Sequence, residues 1–161
     1  MRNKTDAVLA GTGTVLADNP SFNVRRELVG EGVVLHHPER IIFGNRDVPA
    51  DFLVNDGTVP TTFIRSNEIS ELLEITSLHG YNEVLVESGS TLGTELLKAG
   101  ILDELHLFIA PKLLGAGSNF LGEIGVSNIS SAKLLEIVSV DRSGNDVEIV
   151  AVINNDEKVG E

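Results

Sequence analysis

The segment "VLVESGSTLG" is the first part of the sequence whose residue types could carry chemistry. An apolar run ends in Glu87, and Gly89, Ser90, Thr91 and Gly93 follow where a helix is predicted to begin. A helix start presents unpaired backbone N–H groups and the positive end of its dipole, which together favour an anion. Ser90 or Thr91 could equally cap the helix without any ligand. A phosphate cradle and a simple cap are therefore both open from this pattern.

A second glycine-bearing corner follows another apolar run, in "AGTGTVLADNPSFNVRR", residues 10–26. Gly11 and Gly13 would let backbone amides approach a ligand closely, and an arginine such as Arg25 suits a phosphate group. The dinucleotide-binding fingerprint is incomplete, because no third glycine follows at the required spacing. A loop and a short apolar turn, with Asp18-Asn19-Pro20 as a further turn, would explain the same residues without a ligand.

The histidines and the absence of cysteine restrict the remaining chemistry. His36 and His37 are adjacent, so their side chains point apart on most backbones, and no third ligand type is spaced to complete a metal site. His106 lies in a predicted strand, where a lone histidine is more often structural than catalytic. There is no cysteine and neither a nucleophile-elbow nor a Walker motif. We predict no metal site.

The elements that must position these residues are short strands and two helices. Apolar runs without alternation, such as "AVLA" and "VLVE", are typical of strands covered on both faces in a parallel sheet. Helices are predicted in "EISELLEITSLHG" and "STLGTELLKAG", each leading into another strand as a crossover unit. The turn "DRSGND" predicts an antiparallel hairpin at the end. The seven predicted strands are "AVLAG", "RIIFG", "TTFIR", "EVLVE", "ELHLFIA", "KLLEIVSV" and "VEIVAVI".

Composition fits one α/β domain spanning residues 1–161, with residues 154–161 as a frayed tail. The chain has 161 residues, 42% of them hydrophobic, and a formal net charge of −12. Nucleic acids and anionic membrane surfaces are held by clustered Lys and Arg, so this charge argues against both. No apolar segment reaches the length of a membrane helix. We expect a soluble, cytoplasmic protein.

Four blocks in order along the chain resemble the reductase domain of the bifunctional deaminase/reductase of riboflavin biosynthesis. They are "DAVLAGTGTVLADNPSFNVR", "RIIFGNRDVP", "VLVESGSTLGTELLKAGILDELHLFIAPKLLG" and the closing hairpin. The resemblance implies a dihydrofolate-reductase-like fold, in which a mixed, mostly parallel sheet is flanked by helices. It also implies reduction of 5-amino-6-(5-phosphoribosylamino)uracil by NADPH to the ribitylamino product, and a homodimer.

The same resemblance implies roles for individual residues. Thr14 and Asp18 would contact NADPH, while Phe22 and Arg25 would hold the substrate, with the arginine at its phosphate. Glu87 would also contact the substrate, and Asp18 and Glu87 are the candidate catalytic proton donors by location. The other implied cofactor contacts are Asn45, Gly89, Ser90, Thr91, Leu92, Gly93, Thr94 and Glu95.

The chain also departs from the family pattern. Family members usually read Glu-Gly-Gly-Pro-Thr where this chain has Glu87-Ser88-Gly89-Ser90-Thr91, and Gly44-Asn45 replaces a common Asp-Ser. The family's opening strand and its deaminase would precede Met1, so we expect an N-terminally truncated domain with little or no activity alone. Two alternatives stay open: a reductase-like enzyme for another pterin or pyrimidine, and a nucleotide-binding relative without turnover.

Overall fold

The computed structural model describes residues 1–155, and strands form at all seven of the predicted runs. In chain order the elements are β1 (Ala7–Gly11), α1 (Thr12–Asp18), β2 (Glu39–Phe43), β3 (Thr61–Ile64), α2 (Ile69–His79), β4 (Val84–Val86), α3 (Ser90–Lys98), β5 (Glu104–Ile109), β6 (Leu135–Ser143) and β7 (Asp146–Ile153). Short 3-10 turns lie at Arg26–Leu28, Leu53–Asn55 and Ile129–Ser131. The predicted tail falls almost entirely outside the described residues.

Two compact units make up the chain. The first is Met1–Gly93 and the second begins at Thr94, so the boundary falls within α3. A single domain over the whole chain stays a prediction.

The first unit is built on a parallel sheet with the strand order β3-β2-β1-β4. Leu9 of β1 pairs with Ile41 of β2 on one side and with Val86 of β4 on the other. Ala7, Val8 and Ala10 are fully buried. Consecutive residues point to opposite faces of a sheet, so burial of both faces explains why the run does not alternate.

The core of the first unit lies where β1 and β2 meet α1 and the segments that follow it. Val8, Ala10 and Ile42 from the sheet pack with Val15 of α1, and Phe22 and Val54 complete the cluster. All six are at most 3% exposed. Burying one large apolar side chain of this kind stabilises the fold by about 1.5–3 kcal/mol relative to leaving it exposed. The cluster thereby fixes α1 and residue 22 against the sheet.

α1 is a helix where the sequence predicted a loop and a short apolar turn. Gly11 precedes it with extended backbone, Val15 is buried at its centre, and Asn19 ends it in the left-handed conformation at φ 43°. The Asn19 N–H bonds to the Val15 carbonyl at 2.9 Å. A seven-residue helix that follows Gly11 and contains Gly13 is too short to show a helical period in the sequence, and packing of Val15 supplies the missing stabilisation.

The second unit contains an antiparallel sheet with the order β5-β7-β6. The predicted hairpin joins β6 to β7, and Gly144 takes a positive φ of 66° in its turn. β5 differs from the sequence interpretation, because it pairs antiparallel with β7 instead of entering as a parallel crossover. A run such as "ELHLFI" indicates that a strand forms, but it does not indicate whether the neighbouring strand runs parallel or antiparallel.

Candidate functional site

The carboxyl ends of β1 and β4 form the candidate site in the first unit. The chain moves outward from β1 to β2 and β3, and then returns to β4 on the other side of β1. Open α/β sheets bind ligands at such a reversal of strand order. Gly11 and Glu87 end the two strands there, and the Glu87 N–H bonds to the Leu9 carbonyl at 2.9 Å.

The two glycine-bearing corners meet at this edge. The Gly89 N–H donates to Thr14 Oγ1 at 3.1 Å, joining the segment after β4 to the first turn of α1. Leu92 of α3 is 9% exposed, and its side chain lies against Gly11. Thr14 and the loop containing Gly89, which the sequence predicted as cofactor contacts, are therefore neighbours.

A third glycine lies at the end of β2. Gly44 has a φ of 126°, and a Cβ there would lie 2.5 Å from Thr12 Oγ1, so no other residue fits without displacing α1. Asn45 and Arg46 follow and are exposed. Arg46 Nη1 would be 3.8 Å from a Cβ on Gly13. A guanidinium therefore lies beside the same glycine corner, and it has no ion-pair partner among residues 1–155.

Glu87 is held by Arg2, a residue that sequence reasoning missed. Arg2 Nε and Nη2 donate to the two carboxylate oxygens of Glu87, each at 2.6 Å, and Nη1 donates to the Asn23 carbonyl at 2.9 Å. These hydrogen bonds to Glu87 raise the pKa of Arg2. The pair is 85 positions apart in sequence, and "MRNKTD" has no pattern that would have revealed it.

Phe22 and Arg25 lie in what we call the 19–25 segment, the residues that follow α1. Phe22 is 3% exposed and has a φ of 56°, which is rare for a bulky residue. The Arg2 guanidinium lies over its ring, 5.7 Å from the centroid. Arg25 is exposed, and its side chain has no hydrogen-bond or ion-pair partner in the described part of the chain.

The remaining predicted residues lie on α1 and α3. Asp18 is exposed and one helical turn beyond Thr14, so both are on the same face of α1. Ser90, Thr91 and Gly93 form the first turn of α3.

Two predicted cofactor contacts belong to the second unit. There Thr94 Oγ1 accepts from the Gly122 N–H at 2.7 Å, and Glu95 pairs with Lys98 at 3.1 Å. Their predicted role in cofactor binding stays a prediction.

The histidines have local partners. His37 Nδ1 accepts from the Val24 N–H at 3.1 Å, and His36 Nε2 lies 3.2 Å from the Thr5 carbonyl oxygen. His106 lies between the carboxylates of Glu104 and Glu148 in the second unit. Within residues 1–155, no group of three or more potential ligands is arranged to hold a metal ion. No helix in that range is long and apolar enough to span a membrane.

Comparison with known families identifies the chain, because residues 1–149 match the RibD C-terminal domain. The chain belongs to the RibD C-terminal domain family. The riboflavin biosynthesis protein RibD of Mycobacterium tuberculosis is 37% identical over 142 residues, which are 88% of this chain and 41% of that protein. Its Escherichia coli counterpart is 30% identical over 179 residues, covering 91% of this chain and 48% of the relative.

Solved structures show the same fold. A Thermotoga maritima diaminohydroxyphosphoribosylaminopyrimidine deaminase/5-amino-6-(5-phosphoribosylamino)uracil reductase superposes with a TM-score of 0.77 at 25% identity, over 96% of this chain and 47% of that one. Acinetobacter baumannii RibD gives a TM-score of 0.80 at 20% identity, over 95% and 48%. This chain thus spans about half the length of its RibD relatives. The predicted family, α/β fold class and assignment to the riboflavin-pathway reductase domain are confirmed.

Proposed function

We propose that this chain carries the NADPH-dependent reduction of 5-amino-6-(5-phosphoribosylamino)uracil to its ribitylamino product. The observation that supports this most directly is the convergence of two features at the reversal of strand order. One is the Thr14–Gly89 hydrogen bond, and the other is the Arg2–Glu87 ion pair. A glycine-rich corner beside a polar, charged corner suits a dinucleotide next to a phosphorylated pyrimidine.

The proposed cofactor site fits the chemistry of a diphosphate. The N-terminal turn of a helix such as α3 presents backbone N–H groups and the positive end of the helix dipole to an anion, and Gly89 lets the chain pass close to a ligand. Thr14 and Asp18 would line the facing side from α1, with Asn45 at the end of β2. Arg46 adds one cation beside Gly13. A few local donors can therefore hold an anion in a chain whose net charge is −12.

The proposed substrate site combines a fixed carboxylate with an unengaged cation. Glu87 is oriented by both of its hydrogen bonds to Arg2, and each oxygen keeps a second lone pair for an N–H group of the pyrimidine. Arg25 would hold the phosphate, since its guanidinium is exposed and unpaired within residues 1–155. The ring of Phe22 is buried in the core, so we assign its contribution to the backbone of its turn.

The chemical step needs a hydride and a proton. NADPH, when bound, supplies the hydride to the carbon of the opened ribose that is reduced. The chain's contribution is to align the two ligands and to exclude water between them. Of the two candidates, Asp18 and Glu87, we propose Asp18 as the proton donor. Asp18 has no side-chain partner among the described residues, whereas both oxygens of Glu87 accept from Arg2.

The test is NADPH oxidation in the presence of this substrate, measured for the purified chain and for a longer protein that contains it, because little or no activity is expected of residues 1–161 alone. We expect Glu87→Gln to lower kcat/KM about 10- to 100-fold, because a charge-assisted hydrogen bond is worth about 1.5–3 kcal/mol. NADPH affinity should stay within about twofold in calorimetry. Glu83→Gln is the matched control, since Glu83 is exposed just before β4 and should leave the rate unchanged.

Each outcome discriminates between functions. Equal rates for Glu87→Gln and the control would remove Glu87 from the substrate site. NADPH binding without turnover of this substrate would favour a reductase for another pterin or pyrimidine, and an assay of such compounds would then follow. Absence of NADPH binding would favour a relative without turnover, for which Ser88 and Ser90 in place of the usual glycine and proline are the supporting observation.

We also propose a homodimer formed through the second unit. Residues paired across β5, β7 and β6 share a face, and one face is apolar except for Arg142 of β6. Ile109, Ile137 and Val140 on that face are 53%, 62% and 58% exposed. An exposed apolar sheet face is typical of an interface. Light scattering should give twice the monomer mass, and Ile137→Glu should give a monomer. A monomeric wild type would contradict the proposal.

A cytoplasmic location stays a prediction. It is supported by the absence of cysteine and by the soluble chemistry proposed above. Fractionation of cells with a tagged chain would test it.

A further inference from the structure

Arg40 is a charged residue placed where charge is costly. It lies on β2, is 0% exposed, and pairs in register with Val8 of the central strand. Its one carboxylate partner is Asp56, at 2.9 Å, and its Nε is buried without a hydrogen-bond partner among residues 1–155. An ion pair in which the arginine is fully buried, and in which one of its donors stays unpaired, contributes little net stability because removing the arginine from water is costly. Its contacts instead indicate a role in fixing conformation.

The two ends of the guanidinium hold two different segments. Nη1 donates to the carbonyls of Leu53 and Val54, each at 3.2 Å, as well as to Asp56. Nη2 donates to Asn23 Oδ1 at 2.9 Å and to Thr58 Oγ1 at 3.0 Å, with a longer contact of 3.5 Å to Asp56. Arg40 thereby joins residues 53–58 to the 19–25 segment.

The 19–25 segment has a backbone that needs such support. Asn19 and Phe22 both have positive φ, at 43° and 56°, and they are the two non-glycine residues with that property within residues 1–155. Conformations of this kind persist only where surrounding contacts enforce them, and they occur preferentially at functional sites. The Asn19 end is tied by a hydrogen bond from the Leu53 N–H to Asn19 Oδ1 at 2.8 Å. The other end is tied at Asn23.

Asn23 connects both sides of the proposed substrate site. Its side chain accepts from Arg40, and its carbonyl accepts from Arg2 Nη1 at 2.9 Å. Arg2 in turn orients Glu87, and Asn23 lies one residue after Phe22 and two before Arg25.

We infer that Arg40 is a positioning residue that acts through Asn23 to fix the 19–25 segment, and hence Arg25, in the geometry that binds the phosphorylated pyrimidine. The identity of the ligand in this inference rests on the proposed function, whereas the fixed geometry of the 19–25 segment does not depend on it. Arg40 touches no ligand, because it is fully buried. Loss of the Arg40–Asn23 bond should therefore weaken substrate binding and spare the cofactor.

Two variants separate positioning from general destabilisation. Asn23→Ala and Thr58→Val each remove one acceptor of the same nitrogen, Arg40 Nη2, at nearly equal distances of 2.9 Å and 3.0 Å. We expect Asn23→Ala to raise KM for 5-amino-6-(5-phosphoribosylamino)uracil at least tenfold and to change KM for NADPH less than twofold. Thr58→Val should change neither by more than twofold, and Asn23→Asp, which keeps an acceptor oxygen, should restore KM. Equal effects of Asn23→Ala and Thr58→Val on KM would overturn the inference.

A second readout does not depend on activity. Trypsin cleaves after Arg25 and Arg26, which are exposed. At a temperature where both variants are folded by circular dichroism, Asn23→Ala should be cut there at least fivefold faster than wild type, and Thr58→Val should match wild type. If neither the chain nor a longer protein that contains it shows turnover, the proposed function fails, while this comparison still decides whether Arg40 fixes the segment. Equal cleavage of the two variants would overturn the inference.

Discussion

Replacing Gly44 by alanine tests how tightly the end of β2 is packed against α1. Gly44 has a φ of 126°, and an added Cβ would lie 2.5 Å from Thr12 Oγ1, 3.4 Å from its Cγ2 and 3.5 Å from its Cβ. Thr12 is 6% exposed and is the first residue of α1, so it has little room to move away. The substitution therefore introduces both backbone strain and a steric clash.

The two costs have different physical origins and can be separated. A residue held in a backbone region that L-amino acids avoid costs about 1–3 kcal/mol. Overpacking a well-packed site costs about 1–3 kcal/mol more. We therefore expect Gly44→Ala to lower the free energy of unfolding by about 2–6 kcal/mol. Gly57 provides the control, since its φ is 71° and nothing lies within 4 Å of its added Cβ. Gly57→Ala should cost only about 1–2 kcal/mol.

Urea unfolding of five proteins would measure these two costs: wild type, Gly44→Ala, Gly57→Ala, Thr12→Ala and the double variant of Gly44 and Thr12. Because Thr12→Ala removes the oxygen that clashes, the double variant should recover about 1–2 kcal/mol relative to the sum of the single effects. Backbone strain at residue 44 should remain. The reasoning fails if Gly44→Ala costs no more than Gly57→Ala, or if the two single effects simply add.

Further predictions concern the cofactor corner and the response to acid. Thr14→Val removes the acceptor of the Gly89 N–H, so we expect NADPH to bind about tenfold more weakly in calorimetry, corresponding to about 1.4 kcal/mol, whereas Thr14→Ser should bind normally. Arg46→Ala should weaken NADPH binding about tenfold more than NADH binding if its guanidinium meets the 2′-phosphate, and equal losses would place it at the diphosphate instead. The Arg40 guanidinium and, next, the Thr58 N–H hold the pKa of Asp56 far below its usual range. The stabilisation that ionised Asp56 provides is then complete at pH values above its pKa in the unfolded chain, about 3.9, and it is lost as pH falls below that pKa. Asp56→Asn should therefore destabilise the protein most near pH 7, and its difference from wild type in unfolding free energy should shrink below about pH 4. A difference that stays constant from pH 7 to pH 3 would contradict the Asp56 assignment.

Local pattern determined which parts of the chain form the strands and the two longer helices. Fully buried runs such as the one ending at Gly11 do not alternate, because both faces of a central parallel strand are covered. Helix α2 ends at Gly80, which takes a positive φ of 69° that glycine adopts without a steric penalty. The glycine corners after β1 and β4 were likewise visible in sequence, as was the family that they indicate.

Tertiary structure alone decided how these elements pair and which charged residues are buried or form ion pairs. Nothing in "ERIIF" distinguishes a surface arginine from Arg40, which is buried because Asn23, Asp56 and Thr58 converge on it from two loops. Nothing near Met1 predicts that Arg2 orients Glu87, 85 positions away. Periodicity and capping report on neighbours within a few residues, whereas these contacts depend on how distant segments meet once the sheet has formed.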